Sequence, residues 1–378
     1  MSSYYSSNLR VLVGELETVK SGEPMEIPVM ESSENQKTQK LPTAFDVRIW
    51  NPTITPIIEA DDEGSKYATG DHGEDESIMG AQSATIEFSV KMSSRDPASG
   101  YPAWWKFAQA CGCEVKRYPN NEPPATAVGY SLQPLKSRDV STMTIFVYDI
   151  PRTGGKIARY KFSGCMGNMT IGAEGVGKPW TANFSFTGKL VGIDNAEATP
   201  ELSIADKTVA EKMLNYELNF HGLGLRADRS QKISTFMLDV GNEISPLIDQ
   251  ADPTGYAYYA ITKRSPRFSC DPLMNGSFET LFNAWKNNET FSVVMRQKDG
   301  NGFTLRIPKA QQLTSAVASR EGLINWDLNL KALRNNNDDT APEEQEVTWE
   351  LIVGTKPDTP SRASPPVKKA AKKAAKKA

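Results

Sequence analysis

Six residues near position 54 return 190 residues later with every substitution conservative: Ile54-Thr55-Pro56-Ile57-Ile58-Glu59, then Ile244-Ser245-Pro246-Leu247-Ile248-Asp249. A repeat at that distance implies one fold written twice. A hexamer of common residue types can recur by accident, so the inference depends on the residues downstream of each copy.

After the first copy, residues 100–112 place Trp104, Phe107, Ala108 and Cys111 at i, i+3, i+4 and i+7, one face of a short helix. Pro102 suits its first turn and Gly112 its end. After the second copy, Phe278, Leu281, Phe282 and Trp285 occupy the same four positions, with Ser277 as N-cap and Asn287 and Asn288 as the stop. Alternating strands come next in both. Met143, Ile145 and Val147 lead through Pro151-Arg152-Thr153-Gly154-Gly155 to Tyr160 and Phe162. Phe291 to Met295 leads through Asp299-Gly300-Asn301-Gly302 to Phe303, Leu305 and Ile307. Both read as hairpins. Each copy closes on a strand of period two, Phe184 and Phe186 in one, Trp326, Leu328 and Leu330 in the other. The order hydrophobic motif, helix, hairpin, closing strand predicts tandem copies, each burying its own core.

The expected organisation is an N-terminal arm (1–40) with a strand at Leu9–Val13, a first copy (41–195), a linker (196–212), a second copy (213–335), a linker with a further strand through Val347, Trp349, Leu351 and Val353 (336–360), and a lysine-rich tail (361–378). The first copy alone holds a Pro-rich insertion within 113–140, around Tyr118 to Pro124, and the loop Asp61 to Gly80 carries seven acids against Lys66. That loop departs from the EF-hand pattern and reads as solvated. Gly164 to Gly175 lacks the Gly-Lys-Ser/Thr ending of a phosphate loop, and its glycines read as bulges and close approaches in a sheet.

No run of eighteen apolar residues occurs, and the first residues lack the pattern of a signal peptide, which predicts a soluble protein made in a cytoplasm. Cys111, Cys113, Cys165 and Cys270 are too few and scattered for a disulfide scaffold and read as reduced packing residues. With only His72 and His221 in the chain, the Cys111-x-Cys113 pair makes a poor zinc site, and no metal or cofactor is expected. Seven of the 43 basic residues lie in 361–378, so 36 face 46 acids in the rest: an acidic body with a cationic tail. An acidic body argues against a nucleic-acid-binding face.

Several stretches resemble the tail tube proteins (major tail proteins) of long-tailed bacteriophages: Leu16-Glu17-Thr18 followed by Ser21-Gly22-Glu23-Pro24; Ala108-Gln109-Ala110-Cys111-Gly112; Ser141 to Tyr148; and Tyr160-Lys161-Phe162-Ser163-Gly164-Cys165-Met166-Gly167-Asn168-Met169-Thr170-Ile171, continuing through Gly175, Pro179, Phe184, Phe186 and Gly188. The second copy lacks the Gly-Cys-x-Gly pattern. The resemblance implies a mainly β fold, a sandwich or flattened barrel of antiparallel sheets with a flanking helix, assembled as rings that stack into a tube conducting the genome from capsid to host. Family tubes are usually six-fold, so a doubled chain implies trimeric, pseudo-six-fold rings with a passive, acidic lining. The implied partners are further copies of the chain, tail-tip or baseplate and tail-terminator proteins, and a tape-measure protein in the lumen, with DNA passing through unbound; the implied location is the virion tail, assembled in the host bacterial cytoplasm. No residue is then catalytic. Two other classes compete: a tail-tip or sugar-binding protein, whose sign would be exposed aromatics on loops, and an enzyme, for which only a carboxylate pair is available.

Overall fold

The computed structural model describes residues 5–17, 49–61, 78–93, 101–118, 129–136, 140–152, 155–196, 214–223, 230–275, 278–297, 302–334 and 347–353. The acidic loop, the Ser-Gly-Glu-Pro turn, most of the Pro-rich insertion, the 197–212 linker, Ser277 and the lysine tail lie outside those residues. Ahead of the first helix stand β1 (Tyr5–Leu16), β2 (Ile49–Asp61) and β3 (Ile78–Lys91). Then come α1 (Trp105–Ala110), β4 (Cys113–Tyr118), β5 (Gly129–Pro134), β6 (Met143–Pro151), β7 (Ile157–Ala173) and β8 (Thr181–Ala196). The remainder is β9 (Tyr216–His221), β10 (Phe236–Asp239), β11 (Asn242–Ile248), β12 (Tyr256–Arg264), β13 (Arg267–Cys270), α2 (Phe278–Lys286), β14 (Thr290–Gln297), β15 (Phe303–Arg320), β16 (Leu323–Ala332) and β17 (Glu350–Val353). The protein is mainly β, and every pairing among the described residues is antiparallel. Neither described helix is long and apolar enough to cross a membrane.

Two series of strands run in the same order. The first is β2-β3-β8-β7-β6-β1, and the second is β10-β13-β16-β15-β14-β9. They meet because β7 and β15, at 17 and 18 residues, are long enough to take two partners along one edge. Beyond its pairing with β6, β7 accepts β10 at Thr170–Ala173. At the other end, β17 joins residues 303–306 of β15 to β5, and β5 joins β4. The result is one branched 15-stranded sheet with open ends, beside the separate two-stranded hairpin β11–β12. The sheet is not closed among the described residues, although β1 and β2, the two ends of the first series, approach where Arg10 Nη1 donates to the Pro52 carbonyl at 3.0 Å.

One apolar cluster runs from Ile86, Phe88, Phe184 and Phe186 of the first series to Phe268, Leu305, Leu328 and Leu330 of the second. The sheet crosses the midpoint of the chain, so its apolar side crosses with it. The further strand through Leu351 and Val353 is present as β17 and belongs to this body, and Trp349 beside it is fully buried. The strand expected in the N-terminal arm is β1, hydrogen bonded to β6, with Leu12 and Val13 buried.

Both helices stand where expected, with one difference in the buried face. Around α1, Trp104, Phe107, Ala108 and Cys111 are buried as their spacing predicts, and Trp105 is buried as well. On α2 the buried line is Leu281 and Ala284, and Phe282 is 42% exposed. The helix has turned toward Ala284, and the Trp285 indole, half buried, donates to the Leu313 carbonyl at 3.3 Å.

Candidate functional site

No residue of this chain is expected to carry catalysis, so the features that could carry function are surfaces and edges. The central sheet is one-sided because its strands alternate. Phe88, Phe184, Met169, Leu238, Phe268 and Leu330 point into the core, and Glu87, Ser89, Asn183, Thr170, Asp239 and Ser269 stand on the opposite side. Side chains on this polar side hydrogen bond across the strands. The Ser89 hydroxyl donates to Asn183 Oδ1 at 2.7 Å, and Asn168 Nδ2 donates to Asp239 Oδ1 at 3.0 Å. Acids (Glu87, Glu174, Asp239, Asp271, Asp327) and bases (Lys91, Arg267, Arg320, Lys331) lie on or beside this face, and Arg320 is paired with Asp271. Where the two series meet lies a shallow depression of about 470 Å³ lined by Thr170, Gly172, Asn183, Met237, Ser269 and Asp327.

Two rows of this face match residue for residue. One reads Trp50-Ser89-Asn183-Thr170 across β2, β3, β8 and β7. The other reads Gly172-Met237-Ser269-Asn329-Thr314 across β7, β10, β13, β16 and β15. Met237 takes the place of Trp50, Ser269 of Ser89, Asn329 of Asn183 and Thr314 of Thr170. The sequence holds the signal, in Phe88-Ser89 against Phe268-Ser269 and Trp180-x-x-Asn183 against Trp326-x-x-Asn329. It is easily missed, because each pair is short and apolar neighbours differ. The second row has a first member, Gly172, that the first row lacks.

A clasp holds the hairpin β11–β12 of the second series onto the first. Arg264 donates from Nη2 to the Gly112 carbonyl at 2.9 Å and from Nη1 to Leu135 at 3.3 Å, covering the C-terminal end of α1. Asn242 Nδ2 bonds the carbonyls of Cys111 (2.7 Å) and Gly167 (2.9 Å). At the hairpin tip the buried Lys189 ammonium meets Asp252 at 2.7 Å. Burial alone would raise the Asp252 carboxyl, but hydrogen bonds from Lys189 and Thr254 outweigh it and hold the group below its ordinary value. Tyr256 donates to Glu59 at 2.7 Å, and that bond, with burial, pushes the phenol up to about 12. Glu59 ends the first copy of the repeated hexamer, so the two repeated hairpins touch.

The four cysteines are free and buried. Burial pushes the Cys113 thiol up to about 12 and raises Cys111, Cys165 and Cys270, which disfavours the thiolate needed for nucleophilic or metal chemistry. Among the described residues no group of three His, Cys, Asp and Glu side chains is placed to hold a metal ion.

Two edges are open among the described residues. β2 pairs with β3 on one side only, with Arg10 of β1 reaching its Pro52 carbonyl at 3.0 Å, and β15 beyond Leu313 pairs with β16 on one side only. Trp50, Val317, Leu323 and Ile324 are all more than half exposed along these edges and at the β15–β16 turn. No protein-family model matches this chain, and no curated protein matches it.

Proposed function

We propose that this chain is a structural subunit of a phage-type tail tube, built from two tandem copies of one tube unit and assembling as trimeric rings with pseudo-six-fold symmetry. The carrying observation is the matched strand order of the two series, together with an in-chain junction, β7 to β10, that joins one unit to the next by continuing the sheet. A junction of that kind is head to tail, and repeating it closes a ring when the rotation permits. Open sheet edges are a liability in a monomer, and ring closure would pair them.

On this reading the polar sheet face lines the lumen. Several of its side chains are short hydroxyls and amides that bond one another, and acids stand among its bases. Passage of DNA then depends on a face where acids stand among the bases, so that phosphate meets no uninterrupted run of cations. Among the described residues most large aromatics are buried or partly buried. Trp50, the exposed exception among the tryptophans, sits on a strand with the Lys91 ammonium 4.9 Å from its ring centroid, unlike the loop aromatics of a sugar site.

Electron microscopy of the purified protein at rising concentration tests the proposal. Three-fold rings that stack into hollow tubes are the expected result. A chain that remains monomeric from micromolar to millimolar concentration sinks it.

A further inference from the structure

The two rows on the polar face differ by one member, and that difference specifies a contact. Within the chain, Phe236-Met237-Leu238-Asp239 of β10 lies against Ala173-Gly172-Ile171-Thr170 of β7. The matching strand in the first series is the start of β2: Ile49 and Trp50 face Val90 and Ser89, as Phe236 and Met237 face Cys270 and Ser269. The segment matching Thr170–Ala173 is Thr314–Val317 of β15, because Thr170 and Thr314 both oppose the asparagine of the closing strand. The first of these segments is covered by β10, and its Ile171 and Ala173 are buried. Nothing among the described residues pairs with the second on that side, and Val317 is 63% exposed.

We infer that the outer edge of β2 in one copy of this chain pairs, antiparallel, with the open edge of β15 in the next copy, Trp50 opposite Ala316 and Ile49 opposite Val317. This rests on the ring-forming reading above and supplies its contact. The occupant is a second copy because the chain carries both halves of the junction and cannot bring its own β2 and β15 together: they terminate opposite ends of the run β2-β3-β8-β7-β10-β13-β16-β15. The acceptor edge invites pairing. Residues 313–319, Leu-Thr-Ser-Ala-Val-Ala-Ser, include no charge and no proline, the devices that normally blunt a free edge. One difference from the in-chain junction is built in. A Cβ on Gly172 would stand 2.6 Å from the Phe236 carbonyl oxygen, so beside Ala316 the incoming strand sits a few tenths of an ångström farther out.

The test is the double variant Trp50→Cys with Ala316→Cys, oxidised in the assembled full-length protein. In the chain, the Val240 amide donates to the Met169 carbonyl, which makes Met237 and Gly172 the non-hydrogen-bonded kind of pair. At the matching pair Cβ atoms approach to about 4.5 Å, close enough for a disulfide after slight adjustment. Both positions are exposed and the native thiols are buried, so folding and background oxidation are little affected. The expected result is a ladder of covalent dimer and trimer that stops at trimer. Trp50→Cys with Ser319→Cys, on the opposite face of β15, should give at most about a tenth of that yield. Tubes or rings that form without an interchain disulfide overturn the edge pairing and leave the ring reading standing. A link formed within one chain overturns the pairing as well. A protein that neither assembles nor crosslinks overturns both.

Discussion

At the scale of single residues, Glu17 shows what a buried carboxylate does when every oxygen is used. It lies just past the end of β1 and accepts hydrogen bonds from the Thr142 hydroxyl, the Thr144 hydroxyl (2.8 Å) and the Gly164 amide (2.8 Å). Those donors come from β7 and from the start of β6, so one side chain pins three segments of sheet. Glu17→Ala leaves the donors buried without an acceptor and should cost about 2–4 kcal/mol, with Glu17→Gln costing about half as much, read as shifts in urea midpoint. Gly164 cannot be replaced cheaply at the other end of this bond. Its φ is +60°, and a Cβ there would stand 3.1 Å from the Tyr258 Cα. The sequence did mark Gly164 to Gly175 as sheet rather than phosphate loop. It did not reveal the partner of Glu17, because 147 residues separate the carboxylate from the amide that it holds.

At the scale of elements, the hairpin β11–β12 is the part most dependent on polar contacts. It lies outside the main sheet and packs on a small cluster of Val140, Met166 and Tyr259. Arg264, Asn242 and the Lys189–Asp252 pair supply the remaining grip. Removing Asp252 leaves a lysine that is only 3% exposed without its counter-charge, and Asp252→Ala should cost about 3 kcal/mol. The same pair gives the hairpin a pH dependence. A carboxyl held below its ordinary value contributes stability that is complete above the unfolded value, about 3.9, and is lost as pH falls through the folded value. Hydrogen exchange of residues 242–264 should therefore rise below about pH 4 in the wild type and be already raised at neutral pH in Asp252→Ala. Protection that stays unchanged in both would show that the apolar cluster alone holds the hairpin. The helices illustrate how far periodicity reaches. The four positions read for α1 are buried, whereas on α2 the lone α-helical stripe shifts by one position because Trp285 turns to reach a β15 carbonyl.

At the scale of the whole molecule, the two series share one apolar cluster and two strand junctions, β7 to β10 and β15 to β17 to β5. Units joined in this way cannot unfold one at a time without exposing the partner's core. Calorimetry of the monomeric protein should show a single transition whose calorimetric and van't Hoff enthalpies agree, and two separable transitions would point to independent domains. Trp50 and Ala316 are exposed and lie outside the apolar cluster, so substitutions there, such as Trp50→Cys, should leave that transition within a degree or two of its place while changing assembly.

The sequence by itself determined the mainly β character, the hairpins and the positions of both helices, because periodicity and turn chemistry are local. It also pointed to the hexamer at Ile54 and Ile244, which the structure places on hairpins that touch through Glu59 and Tyr256. Only the tertiary structure decided that the halves share one sheet and one core, that β17 reaches back to β5, and that acids and bases are mixed on the polar face although the chain outside its tail is acidic. Those outcomes depend on which edges meet across long stretches of sequence, and pairing of edges is set by length, register and what else can reach them rather than by any local pattern.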